Sequence, residues 1–493
     1  MALFQKLTPK KIVLFLFFVY ACIYFVEAIP NNYFFRNSAT DLGGKLQAMY
    51  QIMQGNSPRF LMGLDGKDIS YFADHFSPII YLFSPFVLVF GMYTFSFLQV
   101  VFILIGGWGI YYYAKNFFQN KWFPVLSLFL FFNLYGIYSA LGFEGHFNVL
   151  AAMLVPWLFL FYRKDKFIPF VLIFAFIILS KENMSLWLFF IMIGLLAREK
   201  FRPKRFIIGK YICLFFSLIY FVLVFMVVMP RLNPGVVLQA QHFEVLGGTG
   251  SSIISNLLTH PWDYIKYLWL NTTTNPANDY VKIEFYIYLF VCGGFFFFLR
   301  PYYLLMIIPL IAQKAFISNP NVWGLNDHYS IEFMPLLILA AIDFLSSKKF
   351  SFSFSRKFFI ACIILVVGSM IHSFDNRQFW FRKENVKFYS RSHFRSDLNI
   401  PFINEQLKDK IPASASVCAS NCLVPALYYH HQLYFIPHEN QVDYLVFLDY
   451  TDGTWPLTYE ENKKMIKDYE ANPDWQKVLG KNDLFIFKRV KGR

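Results

Sequence analysis

The sequence predicts an α-helical polytopic membrane protein, a bundle of about eleven transmembrane helices followed by a small C-terminal α/β domain. Three observations carry that reading. Of the 493 residues, 57% are hydrophobic and only 15% charged, against the roughly 25% charged residues with which a soluble domain covers its surface. The apolar residues also come in runs close to the ~20 needed to cross a bilayer, among them Ile12 to Tyr24, Phe206 to Met229 and Phe358 to Ile371. Finally, lysine and arginine gather in short clusters between the runs, the pattern that orients membrane helices. Disorder, collagen and coiled coil are excluded by the same composition.

Taken in order, the first run follows Lys10 and Lys11 and resembles a signal peptide. No small-residue cleavage site follows it and Glu27 stands at its far end, so it reads as a retained helix. The basic clusters Lys6/Lys10/Lys11, Lys115/Lys121, Arg163/Lys164/Lys166, Arg198 to Arg205, Arg300 and Lys348 to Lys357 are assigned to the cytoplasmic side. They delimit spans at about 12–28, 94–114, 122–141, 147–162, 167–180, 184–197, 206–229, 284–299, 301–313, 330–346 and 357–373. Pro78 to Met92 is short and broken by Pro85, and counting it as a span would invert every later cluster; it reads as a re-entrant or interfacial hairpin. The expected location is the cell (inner) membrane, with the N-terminus cytoplasmic.

This orientation accounts for much of the formal charge of +14, which withdraws it as evidence for a nucleic-acid partner. It leaves outer loops at about 29–77, 230–283 and 314–329 on a transmembrane domain of residues 1–373. Residues 374–493 form an extracytoplasmic domain, whose short apolar runs VCASNCLVPALYY, QLYFIP, DYLVFLD and LFIFKRV alternate with the helical stretches Ile403 to Lys408 and Tyr459 to Glu470. In the second loop, Ile253 to Leu270 reads as an interfacial helix after the GGTGSS turn, broken at His260-Pro261. Cys22, Cys213, Cys292 and Cys362 lie in apolar runs and read as packing residues. Cys418 and Cys422, one helical turn apart in the exported domain, are either a disulfide or two free thiols.

The scarce ionisable residues of the outer side carry the functional signal. Asp41 opens a polar helix capped by Thr40, next to Gly43-Gly44. His75 lies in DHFSP, Glu144 and His146 in FEGHFN, Lys181 and Glu182 in SKEN, and Asp327 and His328 in NDHYS. Each segment falls at the outer end of a different span or in the adjoining outer loop. Side chains snorkelling to headgroups would explain any one of them. Anchoring alone would favour Lys, Arg, Trp and Tyr over carboxylates and histidines, so the set reads as the lining of one outward cavity. Asp41 is the strongest candidate base, Glu144 a second acid, and Lys181 a point charge for phosphate. The metal requirement is open; a divalent cation would draw on Asp41, Glu144 and His146. No zinc signature, phosphate loop, dinucleotide motif or nucleophile elbow occurs.

Asp41-Leu42-Gly43 with Gln47 and Gly55, HFSP at His75, Phe143-Glu144 with His146 and Pro156, Lys181-Glu182-Asn183, HFEVLGGTGSSII with His260-Pro261, His328-Tyr329-Ser330 with Pro335, IPASASVCASN and VDYLVFLD together resemble the predicted membrane proteins grouped as domain of unknown function 2079. The FEGHFN segment departs from the family's Phe-His-Pro. That family in turn resembles the GT-C membrane glycosyltransferases. The resemblance implies transfer of a sugar from a polyprenyl-phosphate carrier to a glycan, lipid or protein acceptor at the outer face. Asp41 would then be the catalytic carboxylate and Glu144 a second catalytic-site carboxylate. Lys181 and His75 would hold the carrier phosphate, with Glu182, His146, Asp327 and His328 completing the substrate site. The competing readings are a transporter or flippase of a lipid-linked saccharide, which calls for mid-span charges and repeated halves, and a non-enzymatic membrane scaffold. Membrane lipids are the other expected partner.

Overall fold

The computed structural model describes residues 8–60, 69–201, 205–232, 242–347, 356–376, 383–439 and 441–490. The basic clusters at Lys6, at 202–204 and through most of Lys348 to Lys357 lie outside them. Two compact units result. A helical unit holds the chain up to Phe25, His75–Ile79 and Leu98–Val386; a mixed unit holds Val26–Asp74, Ile80–Phe97 and Lys387–Arg493.

Each of the eleven apolar runs is helical. The helices are Pro9–Tyr33, Thr94–Lys115, the pair Trp122–Phe132 and Tyr135–Leu141, Phe147–Arg163, Phe167–Ile178, Glu182–Arg198, Ile207–Leu223, 281–299 with an irregular turn at Gly293, Tyr302–Phe316, Phe333–Leu345 and Arg356–Ser373. Among the described residues, four helices are long and apolar enough to cross a membrane: Pro9–Tyr33, Ile80–Lys115, Ile207–Leu232 and Pro276–Leu299. The pair Trp122–Phe132 and Tyr135–Leu141, bent by 45°, makes a fifth if it is one span. Several of the other runs fold into helices of 10–17 residues, shorter than the ~20 that a straight crossing takes, so helix length and composition do not confirm the expected count of about eleven crossings.

Residues 80–93 form two short helices, Ile80–Phe83 and Pro85–Phe90, and a tight turn, Gly91–Tyr93. Pro85 opens the second helix, where its missing N–H costs nothing. Farther along, Thr249 and Ser252 form a reciprocal cap on Gly250–Thr259, and the helix stops at His260 before Pro261–Ile265, as the His-Pro step predicts. Ile253, Leu257, Tyr264, Tyr267 and Leu268 pack on Leu246, Ala315 and Phe316. Leu258 and Trp262 are each 77% exposed on this segment, the two-faced pattern of an interfacial helix.

The mixed unit contains strands β1 (Arg59–Phe60), β2 (Ile69–Ser70), β3 (Val417–Ala419), β4 (Leu433–Phe435), β5 (Tyr444–Leu448), β6 (Trp475–Lys481) and β7 (Leu484–Arg489). β1 and β2 form an antiparallel ribbon; the others form one sheet in the order β4-β3-β5-β7-β6, parallel across β4, β3 and β5 and antiparallel beyond. Every residue of β3 and β5 is buried, which is why these strands read as continuous apolar runs. β6 was not among the expected strands: WQKVLGK is polar and half-exposed, as suits an edge. Helices Ile400–Lys410 and Tyr459–Ala471 accompany the sheet, the second with a Thr458/Glu461 capping box. Cys418 lies on β3 and Cys422 in the short helix Asn421–Leu427. The helical-turn spacing therefore does not apply; both thiols are buried and no disulfide joins them.

His430 is fully buried in this unit; its Nδ1 lies 3.0 Å from the Ala415 carbonyl oxygen and its Nε2 has no protein partner. Burial holds its pKa below the usual 6.5, opposed in part by the Ala415 contact. The folded state thus binds fewer protons than the unfolded one. The stabilisation is complete above the unfolded pKa and is lost as pH falls through that value toward the folded one. Thermal unfolding of the purified protein should show acid destabilisation in this window, reduced in His430→Phe; identical pH profiles for the two proteins would refute the assignment.

Candidate functional site

In the mixed unit, Asp41 is built into a turn rather than carried on a free loop. Residues Ala39–Gly43 form a single π-helical turn that leads into the helix Gly44–Met53. The cap is Ser38, not Thr40: Ser38 is extended and its Oγ accepts from the Asp41 N–H at 3.3 Å. The wider π turn, in which Gly43 N–H donates to the Ser38 carbonyl at 3.0 Å, shifts the start of the helical segment two residues upstream of the sequence reading. Leu42 and Ala39 are buried and turn the Asp41 side chain to the opposite side, where it is 36% exposed. Lys45, one turn on and 4% exposed, brings its Nζ to 3.7 Å from Asp41 Oδ1. The sequence reading missed Lys45; its i,i+4 spacing from Asp41 was the available signal.

In the helical unit, the other candidates gather at the N-terminal ends of apolar helices. His146 caps Phe147–Arg163, Lys181 caps Glu182–Arg198 and Glu332 caps Phe333–Leu345. Asn148 Nδ2 donates to Glu332 Oε1 at 2.7 Å, joining the first helix to the third. Lys181 and Lys314 both act electrostatically on Glu332, and Lys314 also on Asp327. The buried Lys314 ammonium donates to the carbonyls of Val322 (2.9 Å) and Gly324 (2.7 Å) and lies 4.3 Å from the Phe285 ring centroid. It thereby fixes the loop that carries Asp327 and His328. Asp327 has φ +56°, a left-handed conformation that Asp tolerates, and Ser139 Oγ lies 2.6 Å from its carbonyl oxygen.

The backbone before Phe147 is non-helical and His146 is extended. The His146 ring stacks on His328 with centroids 3.6 Å apart, and Phe143 stacks on His146 at 5.4 Å. Glu144 is buried alongside in sequence. On the other flank, Glu182 accepts the Phe76 N–H at 3.1 Å and pairs with His75 Nδ1 at 3.3 Å, while Ile79 N–H donates to the Leu179 carbonyl. His75 and Glu182 thus engage each other and hold the HFSP segment to its helix. Removing that carboxylate in Glu182→Ala should cost about 1–3 kcal/mol locally, the penalty for a buried donor losing its acceptor. Amide exchange over residues 71–79 should accelerate, and unchanged exchange there would contradict the role.

The positive ends of three helix dipoles, with Lys181 half-buried at one of them, make this belt suitable for an anionic group. Glu182 and Glu332 already occupy two of those ends, and Lys181 acts electrostatically on both. Among the described residues no group of three or more His, Cys, Asp and Glu is placed to hold a metal ion. Asp41 is engaged with Lys45, and the rings of Phe143, His146 and His328 pack against one another. Glu332 and Lys314 each sit at the edge of an apolar run and match no motif, and Asn148 closes FEGHFN as a neutral amide that the search for ionisable groups passes over.

What the fold and this belt define is a helix-rich integral membrane protein with buried polar groups at the ends of its apolar helices and a small sheet-bearing unit. The chain belongs to the family described as predicted membrane protein (DUF2079), whose profile matches residues 33–481. The crystal structure of the Archaeoglobus fulgidus oligosaccharyltransferase in the apo form is similar at a TM-score of 0.40 and 10% identity, over 90% of this chain and 70% of that one. No curated protein matches the chain.

Proposed function

We propose that this protein is a membrane glycosyltransferase that moves a sugar from a polyprenyl-phosphate carrier to an acceptor at the outer membrane face. Asp41 serves as its catalytic carboxylate. The observation that carries the reading is the mounting of Asp41: a carboxylate one-third exposed, on a capped turn, above a buried lysine. A general base needs that combination of fixed direction and access. In the reaction, an acceptor hydroxyl attacks the anomeric carbon, the bond from that carbon to the phosphate oxygen breaks, and the phosphate leaves with the electron pair. Asp41 takes the hydroxyl proton.

The test is turnover by the purified chain in proteoliposomes, supplied with a panel of polyprenyl-phosphate-linked sugars and a total envelope extract as acceptor. Release of polyprenyl phosphate together with a new labelled glycoside is expected. If every donor crosses the bilayer unchanged instead, the protein is a flippase and the enzymatic reading falls.

A further inference from the structure

Three adjacent strands of the C-terminal sheet run β4-β3-β5, parallel, with the first in sequence lying in the middle. Such an order has a switch point at the carboxyl ends of β3 and β5, the crevice where open α/β sheets take a ligand. Ser420, the first residue after β3, closes onto β5: its N–H donates to the Val446 carbonyl and its Oγ accepts the Leu448 N–H, both at 2.8 Å. Asn421 follows, and its Oδ1 accepts the N–H of Ala39 at 2.8 Å. Two turns of fit lie beside that bond. Ala39 and Leu42 are buried, and a Cβ on Gly43 would stand 2.7 Å from Val424 Cγ1. Tyr50, farther along the same helix, meets the Tyr428 ring edge-on at 5.8 Å. Residues 39–43, the turn that carries Asp41, thus lie against the short helix Asn421–Leu427 that follows β3.

We infer that Asn421 is a positioning residue for Asp41, and that the C-terminal sheet works as the mount of the catalytic turn. This rests on the glycosyltransferase reading for its catalytic part only. An unsatisfied first-turn N–H is the weak point of any helix start; Asn421 supplies its acceptor from a strand end that Ser420 has already fixed. Gly43 is required because the turn lies against Val424 without room for a side chain.

The experiment uses the full chain in nanodiscs and two readouts. Hydrogen exchange over residues 39–43 should accelerate about tenfold in Asn421→Ala, the loss of one net hydrogen bond, and return to normal in Asn421→Asp, whose carboxylate also accepts. Turnover of a polyprenyl-phosphate-linked sugar should fall by a similar factor in Asn421→Ala with KM unchanged, and recover in Asn421→Asp. Gly43→Ala should reproduce the loss of turnover while exchange in β3 and β5 stays protected. Unchanged exchange at 39–43 in Asn421→Ala overturns the inference, as does faster exchange with undiminished turnover. Full turnover in Asp41→Asn would instead remove the catalytic reading, and the exchange data would still decide whether Asn421 holds the turn.

Discussion

Asp41→Asn is expected to stop sugar transfer while the protein stays folded. The amide keeps the size and one hydrogen-bonding oxygen of the carboxylate but cannot take a proton at neutral pH. Loss of a positioned general base typically lowers turnover by about 10²–10⁴-fold. The structural cost is small by comparison. The Asp41 side chain is 36% exposed, its contact with Lys45 is long, at 3.7 Å, and the amide oxygen of Asn keeps an acceptor facing that lysine. Turnover and the unfolding midpoint should therefore separate, the first collapsing and the second barely moving. A protein with Asn at this position and normal turnover would end the assignment.

Asp343→Ala should produce the largest loss of stability. Asp343 is buried, its side chain 1% exposed, at the end of helix Phe333–Leu345. Its Oδ1 accepts from Arg198 Nη2 at 2.9 Å and from the Tyr113 hydroxyl at 2.8 Å. Its Oδ2 accepts from the hydroxyls of Tyr303 at 3.0 Å and Tyr302 at 3.2 Å. One carboxylate thus ties together helices Thr94–Lys115, Glu182–Arg198, Tyr302–Phe316 and its own. Removing it strands a largely buried guanidinium and three hydroxyls, and breaking such a pair costs about 3–5 kcal/mol. Heat denaturation of the purified protein should show a midpoint lowered by several degrees, with Asp343→Asn intermediate because its amide oxygen still accepts. Equal midpoints for wild type and Asp343→Ala would show that the cluster carries no net stability.

What could be read from the sequence was what is encoded locally. Apolar runs became helices because their length and periodicity act within a few turns, and His260-Pro261 broke its helix where the proline geometry requires. The cap of the Asp41 turn was misplaced by two residues because Thr40 and Ser38 are both capping residues, and only the backbone path selects Ser38. Arg198 was counted as a topology signal, and nothing near it in sequence announced Asp343, 145 residues away. Asn421 was equally silent, since its partner is a backbone N–H and leaves no pattern in side chains. β6 escaped because an edge strand with one polar face resembles a loop. Of the candidate residues, His146 and His328, and His75 and Glu182, do meet, through contacts between segments far apart in the chain. Lys45, Lys314 and Glu332 enter only once packing shows which charges share a neighbourhood.

The bond from Ala39 to Asn421 spans 382 residues, and that separation sets an order of events during synthesis. The turn bearing Asp41 leaves the ribosome early and must wait while the intervening apolar helices are made and inserted. Its acceptor arrives only with the last quarter of the chain, and contacts this remote in sequence are the last to form. A nascent or truncated chain that stops before β3 would sit in the membrane with its charged residues in place and its base unmounted. On the glycosyltransferase reading, such a chain lacks the acceptor that holds its base, and the mount is completed only once β3 and Asn421 have been made.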